Sequence, residues 1–145
     1  MKKKSLVALS ILVATTASLH AESLEERKYW KGQMDYINRA VADGEKACGV
    51  KFSFELVGKE QLRAEMEKNN HSPNGICNEI IKEVTRLCRA GNDEKTAVKA
   101  KITGFQCGYG KPRSLDLKGG VVSYMGNGEE SSFSAWAKPW LMKKL

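Results

Sequence analysis

Apolar residues recur along this chain in two periods, and the change from one to the other separates helices from strands. Trp30, Met34, Ile37 and Val41 follow one another at intervals of four, three and four, so they share one stripe of a helix, with Lys28, Asp35, Asn38 and Arg39 opposite. Ser23 and Glu26 stand ahead of the stripe at capping-box spacing, which predicts a helix from there to about Ala47. Trp30 and Met34 are assigned to the core. Cys48 and Gly49 end the helix, and then Val50, Phe52, Phe54 and Leu56 alternate with Lys51, Ser53 and Glu55. That is a strand with one covered and one wet face.

A short polar helix over about 59–68 follows, with only Leu62 and Met66 to bury. The run 69–75 (Asn-Asn-His-Ser-Pro-Asn-Gly) is a loop, because its residues supply turn geometry and compete with regular hydrogen bonding. From Ile76 the positions Cys77, Ile80, Val84, Leu87 and Cys88 form a second apolar helix face, with Asn74 as the expected cap and Gly91 as the stop. A shorter helix is expected over 92–101, capped by Asn92 with Asp93 and Glu94 in its first turn. Period-two alternation returns at Phe105, Cys107 and Tyr109, at Leu115 and Leu117 around Asp116, and at 121–125 after the Gly119-Gly120 turn. These read as a three-stranded meander. Phe133, Trp136, Trp140 and Leu141 predict a closing C-terminal helix that Pro139 would interrupt.

Helices first and strands last is a segregated order, which argues for an α+β fold. The expectation is a set of N-terminal helices packed on one face of a small, mainly antiparallel four-stranded sheet, made of one early strand plus a C-terminal meander.

The start of the chain adds a destination. Lys2, Lys3 and Lys4 precede the apolar run 6–14 and a small-residue segment ending at Ala21, the pattern of an export signal in a bacterium. The run is too short to span a bilayer, for which about 20 residues are needed. The reading is therefore a cleaved signal over 1–21, a single globular domain over 22–145, and a periplasmic or secreted product with no transmembrane segment in the mature chain. Cleavage lowers the 24 basic residues by three to 21 against 17 acidic ones, so the net charge falls from +7 to +4. A mild excess of this size gives no reason to expect specific nucleic-acid binding.

Four cysteines, Cys48, Cys77, Cys88 and Cys107, lie in the mature part, and an even count in a small exported chain implies two disulfides. Cys77 and Cys88 are eleven residues apart on one helix, which places them about 16 Å apart along its axis and excludes their pairing, since a disulfide needs Cα atoms within about 7 Å. Two frameworks survive. Cys48 with Cys77 and Cys88 with Cys107 is favoured over Cys48 with Cys88 and Cys77 with Cys107, because only a short helix joins Cys88 to Cys107.

The candidate chemistry is sparse. His71 is the one histidine of the mature part, and its nearest thiol, Cys77, is expected to be oxidised. Asn70, His71 and Ser72 match a glycosylation sequon, which carries no weight in a bacterium. Glu79 with Glu83 and Glu129 with Glu130 are the carboxylate pairs for glycosidase-type chemistry, the first expected on the wet face of its helix and the second in a loop. The most distinctive local sequence is 108–113, with two glycines, Tyr109, Lys111, Pro112 and Arg113. Tyr109, Lys111 and Arg113 are the candidate binding residues: Arg113 suits a bidentate anion contact, and the glycines would let backbone N–H groups approach it. The tail with Trp136, Trp140, Lys138, Lys143 and Lys144 is read as core closure rather than a membrane-surface helix. No catalytic residue, metal site or cofactor is assigned. The function expected is non-enzymatic binding of an unknown protein or anionic envelope component, with a small carboxylate-dependent envelope hydrolase as the alternative.

Overall fold

The computed structural model describes residues 22–128 and 131–145, so the segment 1–21, read from the sequence as an export signal, and the Glu129–Glu130 pair lie outside the described residues. The first helix, α1 (Leu24–Cys48), begins as its capping residue requires: the Glu26 N–H donates to Ser23 Oγ at 3.1 Å. It ends at Gly49, whose φ of 69° is the left-handed turn that returns its N–H to the Glu45 carbonyl. Glu45 also accepts from the Phe52 N–H at 3.0 Å and from Lys51 Nζ at 2.9 Å. The Phe52 bond, with Lys51 beside it, holds the Glu45 carboxyl below the usual range and ties the end of α1 to strand β1 (Ser53–Leu56).

Three helices follow: α2 (Lys59–Asn69), α3 (Pro73–Ala90) and α4 (Asn92–Lys101). The second core helix starts one turn earlier than its apolar pattern implied. Its cap is Ser72, which accepts from the Gly75 N–H at 3.2 Å, with Pro73 supplying a fixed φ in the first turn. Asn74, the expected cap, instead donates its backbone N–H to Gln33 of α1. Asn92 is likewise inside α4 rather than capping it, since Gly91 holds the cap position without a side-chain bond. The last helix, α5 (Phe133–Lys144), carries Pro139 within it and buries Phe133, Ala137 and Leu141 on one stripe. It closes the core.

The remaining strands are β2 (Gly104–Tyr109), β3 (Ser114–Lys118) and β4 (Val121–Gly126), and the sheet order is β1-β2-β4-β3. The class is α+β, but the sheet is mixed: β1 with β2 and β2 with β4 are parallel, and only β3 with β4 is antiparallel. This corrects both the mainly antiparallel sheet and the meander. The physical reason is burial. β2 is enclosed along most of its length and needs a partner on each side, whereas Ser-Leu-Asp-Leu-Lys alternates exposed and half-buried and suits an edge. The more apolar β4 therefore sits between them. Residues 110–113 must then cross the end of β4, about two strand spacings or 9–10 Å. Gly110 makes the crossing: its N–H donates to the Gly126 carbonyl at 2.9 Å, and a Cβ there would stand 2.5 Å from Met125 Cβ.

Helices cover one face of the sheet. Phe105, Cys107, Val122 and Tyr124 point into that side and join Ile37, Ile76, Ile80, Val84 and Leu141 in one buried cluster. On the other face, the register aligns Glu55, Gln106, Ser123 and Asp116 in a row across all the strands. Gln106 donates to Glu55 at 2.7 Å and accepts from Ser123 at 3.0 Å.

The disulfides are Cys48–Cys88 and Cys77–Cys107, so the favoured pairing of Cys48 with Cys77 and Cys88 with Cys107 is wrong and the other surviving framework is right. α1 and α3 lie side by side and run in the same direction. Gln33 meets Asn74 near one end, Gly44 meets Thr85 further along, and Cys48 meets Cys88 at the other end. That alignment leaves Cys48 about three helical turns from Cys77.

Non-reducing peptide mapping should recover the two linked pairs as stated. Replacing both members of either pair by alanine should cost about 3–4 kcal/mol in denaturant unfolding, on the chain-entropy scale for loops of this length. Where α1 meets α3, a Cβ at Gly44 would lie 2.9 Å from Thr85 Oγ1. Gly44→Val should therefore lower stability by about 1–3 kcal/mol through overpacking.

Candidate functional site

The three residues singled out at the β2–β3 connection are placed differently by the crossing. Tyr109 ends β2 on the covered face and packs, half-buried, against the core. Lys111 is exposed on the loop. Arg113 lies across Trp136 of α5, its guanidinium carbon 4.3 Å from the ring centroid, and its Nη1 donates to the Ser131 carbonyl at 3.2 Å. A cation held over an indole in this way gains about 0.5–1 kcal/mol. The Gly110 N–H, expected to approach a bound anion, is spent on the Gly126 carbonyl. What remains on this edge is a pair of cations, one exposed and one pinned.

Beneath Arg113 lies a carboxyl group that the periodicity misplaced. Glu79 does not sit on a wet face: it is half-buried on α3, and its Oε2 accepts from the Tyr124 hydroxyl at 3.1 Å. Burial pushes the Glu79 carboxyl above the ordinary range, while the Tyr124 bond and the charge of Arg113 pull the other way. Tyr124 is fixed by an edge-on contact with Phe133 at 5.0 Å, and Phe133 in turn packs edge-on against Trp136. Glu83, expected beside Glu79 in solvent, is only 1% exposed and pairs with Arg86 at 2.9 Å. Both departures have one cause: α3 packs against helices and sheet around most of its circumference, so a single apolar stripe underestimates how much of it is covered.

The far side of Glu79 opens into a small cavity of about 200 Å³, lined also by His71, Ser72, Gly75 and Gly128. Gly128, with φ 75°, lies against the His71 ring, 3.1 Å from Nδ1 to where its Cβ would be. A carboxyl group and an imidazole thus share one polar hollow, which is the arrangement acid–base chemistry uses. Cys77, the thiol nearest His71 in the sequence, is bonded to Cys107 and is no nucleophile. The signal for the Glu79 environment was its place between Ile76 and Ile80 on a helix flanked by loops, but Tyr124 and Arg113 arrive from the sheet, and nothing local announces them. Among the described residues, no helix is long and apolar enough to cross a membrane.

No family model, curated protein or solved structure matches this chain.

The Glu79 environment has a testable pH signature. With its folded pKa raised, the native state keeps the Glu79 proton to higher pH than the unfolded chain does, so this group takes stability away as pH rises through the interval between the two values. Wild type should lose ground to Glu79→Gln in thermal unfolding as pH rises from acid towards neutral. Tyr124→Phe removes the bond that favours the ionised form, and a carbon-13 carboxyl titration should find Glu79 shifted further upward, with a stability loss of about 1 kcal/mol.

Proposed function

We propose that the protein is exported to the periplasm or beyond and works by binding an acidic partner, protein or anionic envelope component, through the edge that carries Lys111 and Arg113. The observation that carries this reading is the fixed state of Arg113, held between the Trp136 ring and the Ser131 carbonyl at the end of a loop pinned to β4. A guanidinium already immobilised loses little further entropy on meeting a carboxylate or phosphate, and its fork geometry gives the contact direction. Export is supported by the signal-like pattern over 1–21 and by the pairing of all four cysteines, which suits an oxidising compartment.

Glu79 supports a second reading, a small envelope hydrolase. A carboxyl group whose pKa burial raises, beside a histidine-bearing cavity, has the character of a general acid.

Two sets of variants separate the readings. Crosslinking in cells at native expression should recover a partner that Lys111→Glu with Arg113→Glu loses and Glu79→Gln keeps; failure to recover any partner overturns the binding proposal. Turnover of peptidoglycan by purified protein, lost in Glu79→Gln, would establish the hydrolase instead. Intact mass of protein from the export compartment should start at Glu22 and fall short of the reduced mass by four hydrogens, whereas a full-length mass with alkylatable thiols contradicts export.

A further inference from the structure

The outer face of α1 carries a feature that no intramolecular contact explains. Gly32 lies inside this 25-residue helix, about a third of the way along from its N-terminus and directly opposite the core stripe of Trp30, Ile37, Val41 and Cys48, and a Cβ there would meet nothing within 4 Å. Glycine weakens a helix interior, and at this position it gains no internal packing in exchange. Around it the chain places three of the four large hydrophobic residues that are exposed among the described ones: Leu24, Tyr29 and Tyr36, the fourth being Met142 on α5.

The polar residues of this face are arranged symmetrically about the glycine. Glu25, Gly32 and Arg39 are seven residues apart and form one line; Lys28 and Asp35 flank it on one side, Tyr29 and Tyr36 on the other. A second copy of the helix laid antiparallel, with a twofold axis at Gly32, brings like flank to like flank. Glu25 then meets Arg39 of the second copy, Lys28 meets its Asp35, and Tyr29 meets its Tyr36, each contact occurring twice. Every charged contact is between opposite signs. Glycine at the crossing point allows the close approach, toward the lower end of the usual interaxial range of about 8–10 Å. Beside Tyr29 an open hollow of about 540 Å³, walled by Trp30 and by Arg63 and Met66 of α2, gives an incoming aromatic ring room. The internal contacts of these residues lie at the surface: Lys31 with Asp35 at 3.0 Å, Arg39 over Tyr36 at 5.1 Å, and Tyr29, whose hydroxyl donates to Met66 Sδ at 3.8 Å and whose ring stands edge-on to Trp30.

We infer that the outer face of α1 is a self-association surface, on which two copies of this chain pair antiparallel about Gly32. The surface is remote in sequence from the Lys111–Arg113 edge, and its failure would leave the binding proposal untouched.

Sedimentation equilibrium of the disulfide-intact protein, purified from the periplasm of an expression host, should show a reversible monomer–dimer equilibrium. Lys28→Glu and Asp35→Lys should each weaken it by about tenfold, since each turns two attractive contacts into repulsive ones, and the double variant should restore it. Gly32→Leu points into open space in the monomer, so its circular dichroism should be unchanged while dimerisation is lost. A protein that stays monomeric at the highest concentration reached, or a dimer indifferent to both charge reversals, overturns the inference.

Discussion

The parallel packing of α1 against α3 is the constraint from which most of this structure follows. Two helices that run the same way cannot be joined by a tight turn, so the chain between them has to travel back the length of the pair. It does so through β1 and α2, which is why a strand is interposed between the core helices. The same alignment brings Cys48 to Cys88 and sets Gly44 against Thr85, leaving the other half of α3 to be tied to the sheet through Cys77 and Cys107. α3 thereby becomes the element that α1, α4, α5, β2 and β4 all touch.

The sheet answers a second demand, that of covering β2 on both edges. β1 reaches it by a crossover through three helices, and β4 takes the other side, so both neighbours are parallel to it. The cost falls on the short link from β2 to β3, which has to pass over β4. That crossing shapes the candidate binding edge: Gly110 is consumed by contact with Met125 and Gly126, Tyr109 turns inward, and Arg113 is carried to Trp136 of α5. Arg113 on the β2–β3 loop, Glu79 on α3 and Tyr124 on β4 come from three separate parts of the chain, and α5 packs against both Tyr124 and Arg113 at that corner.

The cationic edge and the outer face of α1 belong to different elements, and they differ in character. One presents a positive pair, with Arg113 pinned by an aromatic ring. The other is self-complementary in charge and built around a glycine. A dimer formed through α1 would carry two copies of the proposed binding edge, which raises avidity for any multivalent acidic surface that both copies reach.

Element types and most boundaries were readable from the chain, because periodicity and caps are local. Ser23 with Glu26, Gly49 and the alternation at Phe105, Cys107 and Tyr109 each act within a few residues of themselves. The covered face of the sheet was readable for the same reason, since strand side chains alternate. Even the exclusion of Cys77 with Cys88 needed only helix geometry. Strand order, the choice between the two remaining disulfide frameworks and the burial of Glu79 and Glu83 were decided by the tertiary structure. Each depends on which surfaces meet across tens of residues, and the sequence specifies how apolar a face is without naming the face that will cover it.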